Sequence, residues 1–239
     1  TLSGALTQSG DIEIDVGGGK TLTYTGAAIS IGANKLVLTG AYANGGGTFS
    51  NTNALILNNA NSKIRFNGPI TVGAASVTAA SNTGKGLHVY TDVTISSLTV
   101  SADTEIKIAN SKTLSGATEI AEDATLTLSS TGTGTFASTL NLKGTLQAEA
   151  GLEVSGLISV GGDSAISIPS ADTTLTYSGD EISLDNNTLT LSGGGRLSNT
   201  YDLDLNNASS KLLLDSITVD NVSTSADNSG LDVDNNSTV

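Results

Sequence analysis

The sequence predicts an all-β chain wound as a single-stranded parallel β-helix, a β-solenoid of about ten coils of roughly 22 residues. Three observations carry this. Short apolar pairs of period two run the length of the chain, they recur at near-even spacing, and one long unit of sequence is written twice.

The pairs begin with Ile12 and Ile14 and continue as Leu22/Tyr24, Ile29/Ile31, Leu36/Leu38, Leu55/Leu57 and Ile64/Phe66, each with one residue between. That is strand spacing. Ile70/Val72, Leu87/Val89, Val93/Ile95, Leu98/Val100, Ile106/Ile108, Leu126/Leu128 and Leu140/Leu142 follow, then Leu152/Val154, Ile166/Ile168, Leu212/Leu214 and Ile217/Val219. Roughly 29 such starts fall between Ile12 and Ile217, about one in every seven residues, so three of them make a coil. Phe49, Val77, Leu114, Ile120, Phe136 and Leu146 are weaker members of the series. Gly, Asn, Asp and Ser punctuate the runs, as in GAN, NNAN, SADT, SGD and DNN, where corners need turns or left-handed backbone.

The repeated unit joins these elements. LTYTGAAISIGANKLVLTG at 22–40 aligns with LTYSGDEISLDNNTLTLSG at 175–193, and SNTNALILNNANSKIRF at 50–66 with SNTYDLDLNNASSKLLL at 198–214. The related units, 22–66 and 175–214, are each about two coils long. One continuous solenoid region over 1–239 is expected, a segment of a larger protein, with a rod on the order of 50 Å at about 4.8 Å per coil. β-Sandwich domains divided near 145–160 are the alternative, since Thr-rich strands and Gly/Asn turns suit them also.

Composition sets limits on function. Of 239 residues 37% are hydrophobic, yet with three Phe, five Tyr and no Trp the core must be aliphatic. Without Cys or Met there is no disulfide, thiolate or soft metal site. Ten Lys+Arg against 23 Asp+Glu give a net charge of −13, which argues against nucleic acid as a partner. The sequence has no apolar run long enough for direct membrane insertion by a helix.

The candidate chemical groups are few. His88, in GLHVYTDVTI, is the single histidine, and alternation places it on the exterior beside Tyr90, opposite Leu87 and Val89. In DIEID, Asp11, Glu13 and Asp15 share one strand face, either as solvated charge or as a cation or glycosidic site. Asp202 and Asp204, with Asp215, Asp220, Asp232 and Asp234 downstream, are read as spectator charge or as a collector of structural calcium. Their counterparts in the first copy are Ala54 and Ile56. Asn58-Asn59 and Asn206-Asn207 are read as corner formers. The GGG triplets at 17–19, 45–47 and 193–195 lack phosphate-loop spacing and are turns. No residue is assigned a catalytic, cofactor-binding or metal-binding role, and no cofactor is expected.

The LTYTG...LVLTG, LTYSG...LTLSG and LILNN/LDLNN elements resemble parallel β-helical passenger regions and repetitive bacterial surface adhesins. The resemblance implies an extracellular or cell-surface structural protein that displays binding loops, with a cell-surface or matrix glycan or protein as partner. A polysaccharide hydrolase or lyase using surface carboxylates is the enzymatic alternative. A fibre subunit that self-associates end to end is the third reading, because solenoid ends expose strand edges.

Overall fold

A computed structural model describes residues 1–41, 46–149, 151–227, 229–234 and 237–239. Among them the chain forms 27 strands and no helix, with parallel pairing throughout. This is the β-solenoid, and the parallel ladders exclude the antiparallel sandwich. Eleven strands, from Ile12–Val16 to Gly230–Asp234, stack into one sheet and mark ten turns of the coil. Register partners in this sheet lie one coil apart, from 19 residues at Leu87↔Ile106 to 28 at Leu36↔Ile64. The coil therefore varies around the expected length, and loops absorb the difference.

A thirteen-strand and a three-strand sheet close the other sides. Near the middle of the rod two sides are drawn as one bent strand, in Ile70–Val77, Val93–Val100, Thr113–Ile120 and Gly134–Leu142. Toward the ends that strand divides. Gly47–Asn51 and Leu55–Leu57 both pair with Ile70–Val77, and Leu152–Val154 and Ile158–Val160 both pair with Gly134–Leu142. The bend depends on close approach at Gly116, whose φ is 126° and where a Cβ would stand 1.8 Å from the carbonyl oxygen of Ile95.

Alternation sends every second residue into one continuous core. Leu36, Ile64, Leu87, Ile106 and Leu128 form one inward column, in register and fully buried. Each contributes about 1.5–3 kcal/mol by leaving water. Tyr24 and Phe49 stack on neighbouring coils with ring centroids 6.3 Å apart. The weaker sequence signals Phe49, Val77, Leu114, Ile120, Phe136 and Leu146 are all buried strand residues.

Polar side chains fasten the corners, and they explain the repeated phrases. Asn51 and Asn199, 6% and 3% exposed, occupy matching positions. The Asn51 amide donates to the carbonyls of Asn53 (2.9 Å) and Ala74 (2.7 Å), and its oxygen accepts the N–H of Gly73. Asn199 donates to the carbonyls of Tyr201 (2.8 Å) and Asn221 (2.7 Å) and accepts from the N–H groups of Asp220 and Asn221. Each therefore ties its corner to the next coil. Tyr24 and Tyr177 match in the same way, donating their hydroxyls to the carbonyls of Ala27 and Asp180 and accepting from the N–H groups of Leu6 and Ile158.

The Asn pairs are corner formers, as expected. Asn58 Oδ1 accepts the N–H of Gly32 and Asn206 Oδ1 that of Asp185, both left-handed residues with φ of 60° and 51°. Asn59 and Asn207 accept from the N–H groups of Asn61 and Ser209 within their own turns. Buried Ser62 and Ser210 complete the pattern by donating to the carbonyls of Gly32 and Asp185. Of the GGG triplets, Gly45 lies outside the described residues.

Candidate functional site

The outer face of the eleven-strand sheet carries charge in separate zones. At the N-terminal edge Asp11, Glu13 and Asp15 lie along a single strand and its approach, not across a cleft. Asp11 accepts the backbone N–H of Lys35 at 2.8 Å and pairs with its Nζ at 3.3 Å, which holds its carboxyl below the ordinary carboxylate range. Glu13 accepts the Thr39 hydroxyl at 2.8 Å, and Asp15 stands opposite Thr39 in register.

The next four strands form a basic island. Lys35 faces Lys63, and Arg65, His88 and Lys107 follow one another in a single row, with Lys85 just before the strand Gly86–Val89. Five of the chain's ten cations gather here although the net charge is −13. Lys63 donates to the Gly84 carbonyl at 3.2 Å, and its pKa is lowered by burial first and then by Lys85, Arg65 and Lys35. The Arg65 guanidinium lies 4.4 Å over the Tyr90 ring centroid while its Nε donates to Asn67 at 2.6 Å. Glu105 is the carboxylate within the island, and it accepts the N–H of Gly84 (3.2 Å) and the Ser129 hydroxyl (2.8 Å).

His88 corrects the sequence reading. It does lie opposite Leu87 and Val89, but it is only 5% exposed, because Arg65 and Lys107 flank it in register and the Tyr90 ring packs 6.2 Å away. Burial, chiefly, and then Lys63 push its pKa down to about 4, against the opposing pull of Glu105. The Lys85 backbone favours the protonated ring weakly, yet neither Nδ1 nor Nε2 completes a hydrogen bond.

Beyond Glu105 its row becomes uncharged through Thr127, Gln147, Ser167 and Ser192. The row then turns acidic at Asp215 and Asp234. Asp202 and Asp204 belong to another side of the rod, so the structure does not bring them together with Asp215, Asp232 and Asp234. Asp204 is a second correction: it is 8% exposed, not displayed, because Ser223 and Ser225 of the next coil donate to its carboxylate at 3.4 and 2.8 Å. Asp220 is held by Arg196, with Nη2 at 2.7 Å, and by Ser198. Among the described residues no three acidic or histidine side chains converge to hold a metal ion.

A shallow groove of about 350 Å³ on the thirteen-strand sheet is lined by Thr99, Thr118, Glu119, Thr139, Asn141 and Ser159. Its one carboxylate, Glu119, is already engaged by Lys143 at 3.3 Å and by the Asn141 amide at 2.9 Å. Among the described residues no helix is long and apolar enough to cross a membrane.

Sequence reasoning missed the basic island. Its signal is the interval: Lys63, Lys85 and Lys107 are 22 residues apart, close to the length of one coil, although the register sets Lys107 against His88. Comparison with protein-family models, characterised proteins and solved structures returned no match, and the geometry carries the functional argument.

Proposed function

We propose that this β-solenoid is a structural and adhesive segment of an extracellular or cell-surface protein, attaching to a surface or matrix component through its outer faces. The observation that supports this most is the sorting of charge on the eleven-strand face: an acidic edge, a basic island, an uncharged hydroxyl and amide field, and a second acidic zone. Inward residues keep the rod uniform while outward residues differ between the copies. Where the first copy carries Arg65 against His88, the second carries Leu213 against Asp232. The resemblance of the repeated phrases to bacterial surface rods points the same way.

The enzymatic alternative needs two carboxylates placed across a sugar. Glu119 in the groove has no second acid beside it, and Asp11, Glu13 and Asp15 share one strand, so adhesion is the better-supported reading. The test has two parts. The purified chain is assayed for retention on cell-surface and matrix preparations, and separately for release of new chain ends from acidic and neutral polysaccharides. Retention without turnover is expected, and turnover by the wild type that is lost in Glu119→Gln or Asp11→Asn would replace this reading with an enzyme. Digestion of the native protein by protease added outside intact cells tests the location.

A further inference from the structure

We propose that the basic island from Lys35 to Lys107 binds an acidic sugar, a short oligosaccharide bearing sulfate or carboxylate groups. This rests on the adhesive reading and names its ligand. The need for an anion comes from local charge. Among the described residues Lys63, Arg65, Lys85 and Lys107 make no salt bridge, and both oxygens of Glu105 are committed to Gly84 and Ser129.

A second and independent observation is His88. Its ring is 5% exposed with both nitrogens unpartnered, which strands one donor and one acceptor of a neutral imidazole. An oxyanion that parts the Arg65 and Lys107 side chains covering the ring reaches the imidazole N–H and meets both cations. Arg65 is already oriented for it by Tyr90 and Asn67.

The surroundings select a sugar over other anions. The island is four strands wide, about 14 Å at ~4.8 Å per strand, and Glu13 and Asp15 border it, so an extended polyanion would run onto acid. On the other border Thr127 and Gln147 offer uncharged hydrogen-bonding groups suited to sugar hydroxyls. Tyr90, 41% exposed, adds an aromatic surface for a ring face.

Because His88 is the single histidine, its imidazole signals report on this site alone. The isotope-labelled chain is titrated with a sulfated heparin tetrasaccharide, a galacturonate tetramer, a neutral glucose tetramer, inorganic sulfate and a single-stranded oligonucleotide. One or both acidic sugars should shift the His88 signals and raise its pKa from about 4, with Lys63, Arg65, Lys85, Glu105, Lys107 and Tyr90 as the neighbouring charged and titratable groups. The two acidic arms separate sulfate from carboxylate. Arg65→Ala and Lys107→Ala should each weaken binding by about tenfold, and Lys143→Ala should not.

Equal binding of the neutral tetramer, equal binding of inorganic sulfate, tighter binding of a single-stranded oligonucleotide, or an unmoved His88 signal each overturns the proposal. Retention on cell surfaces by a chain that ignores both acidic sugars would sink this inference and leave the adhesive reading standing. Acidic-sugar binding by a protein that never leaves the cell would do the reverse.

Discussion

Replacing Asn199 with alanine should loosen two coils while leaving most of the rod intact. The side chain is 3% exposed and makes two short bonds, at 2.8 and 2.7 Å, and two longer ones at 3.3 Å. At roughly 1 kcal/mol net for each short bond and less for each long one, the loss is about 3 kcal/mol. In a body whose coils touch only their neighbours, that loss stays local. Exchange of the Leu203 amide, which bonds the Asn221 carbonyl at 3.2 Å, should therefore quicken by about a hundredfold. Hydrogen exchange read by mass spectrometry or NMR measures this directly, with amides near Leu87 as internal standard. Asn82→Ala, which removes one exposed bond to Asn61, should change stability by no more than about 0.5 kcal/mol. If Asn199→Ala left exchange near Leu203 within threefold of wild type, the fastening role given to the buried amides would be wrong.

Tyr177→Phe removes a donor to Asp180 at 2.6 Å and should cost about 1–2 kcal/mol in urea denaturation, with a matching loss for Tyr24→Phe at the other copy. Gly179→Ala should cost more than Gly10→Ala, since a Cβ at 179 would lie 2.6 Å from the Gly156 carbonyl and 2.7 Å from the Tyr177 hydroxyl, whereas 10 is open. The folded-state pKa of His88, about 4, lies below its unfolded value near 6.5, so the unfolded chain binds more protons between them. Stability linked to His88 is thus complete above pH 6.5 and is lost as pH falls toward 4, and melting temperatures of wild type and His88→Gln should converge or cross over that window. End-to-end association should be weak at low ionic strength and rise with salt, because stacking Gly230–Asp234 on Ile12–Val16 brings Asp232 and Asp234 against Glu13 and Asp15. Light scattering over a salt series measures it, and assembly that is strongest without salt would contradict the argument.

The fold was legible because its signal is redundant. Period-two pairs such as Leu36/Leu38 and Leu87/Val89 recur in every coil, so weak members such as Leu114 and Phe136 are carried by their neighbours. Turn chemistry was legible too, in the paired asparagines that meet Gly32 and Asp185 at left-handed corners. What alternation cannot report is coverage. It assigns His88 and Asp204 correctly to the side opposite the core pairs, but whether that side meets water depends on residues one coil away, Arg65 and Lys107 for one and Ser223 and Ser225 for the other. The basic island was hidden for a related reason, since its members stand 19 to 28 residues apart and become neighbours only once the register is known. Asn51 and Asn199 were visible as repeated letters, but nothing local marks them as bridges between coils.

The ladders joining successive coils run along the rod, and this gives the body a mechanical character. A pull applied along the axis opens those bonds from one end, in sequence, and does not shear them together. Each coil so detached frees about 22 residues, which extend to roughly 70 Å at about 3.3 Å per residue. A tether built this way yields coil by coil, in steps set by coils of 19 to 28 residues, and each step lengthens the connection many times over before the next coil bears the load.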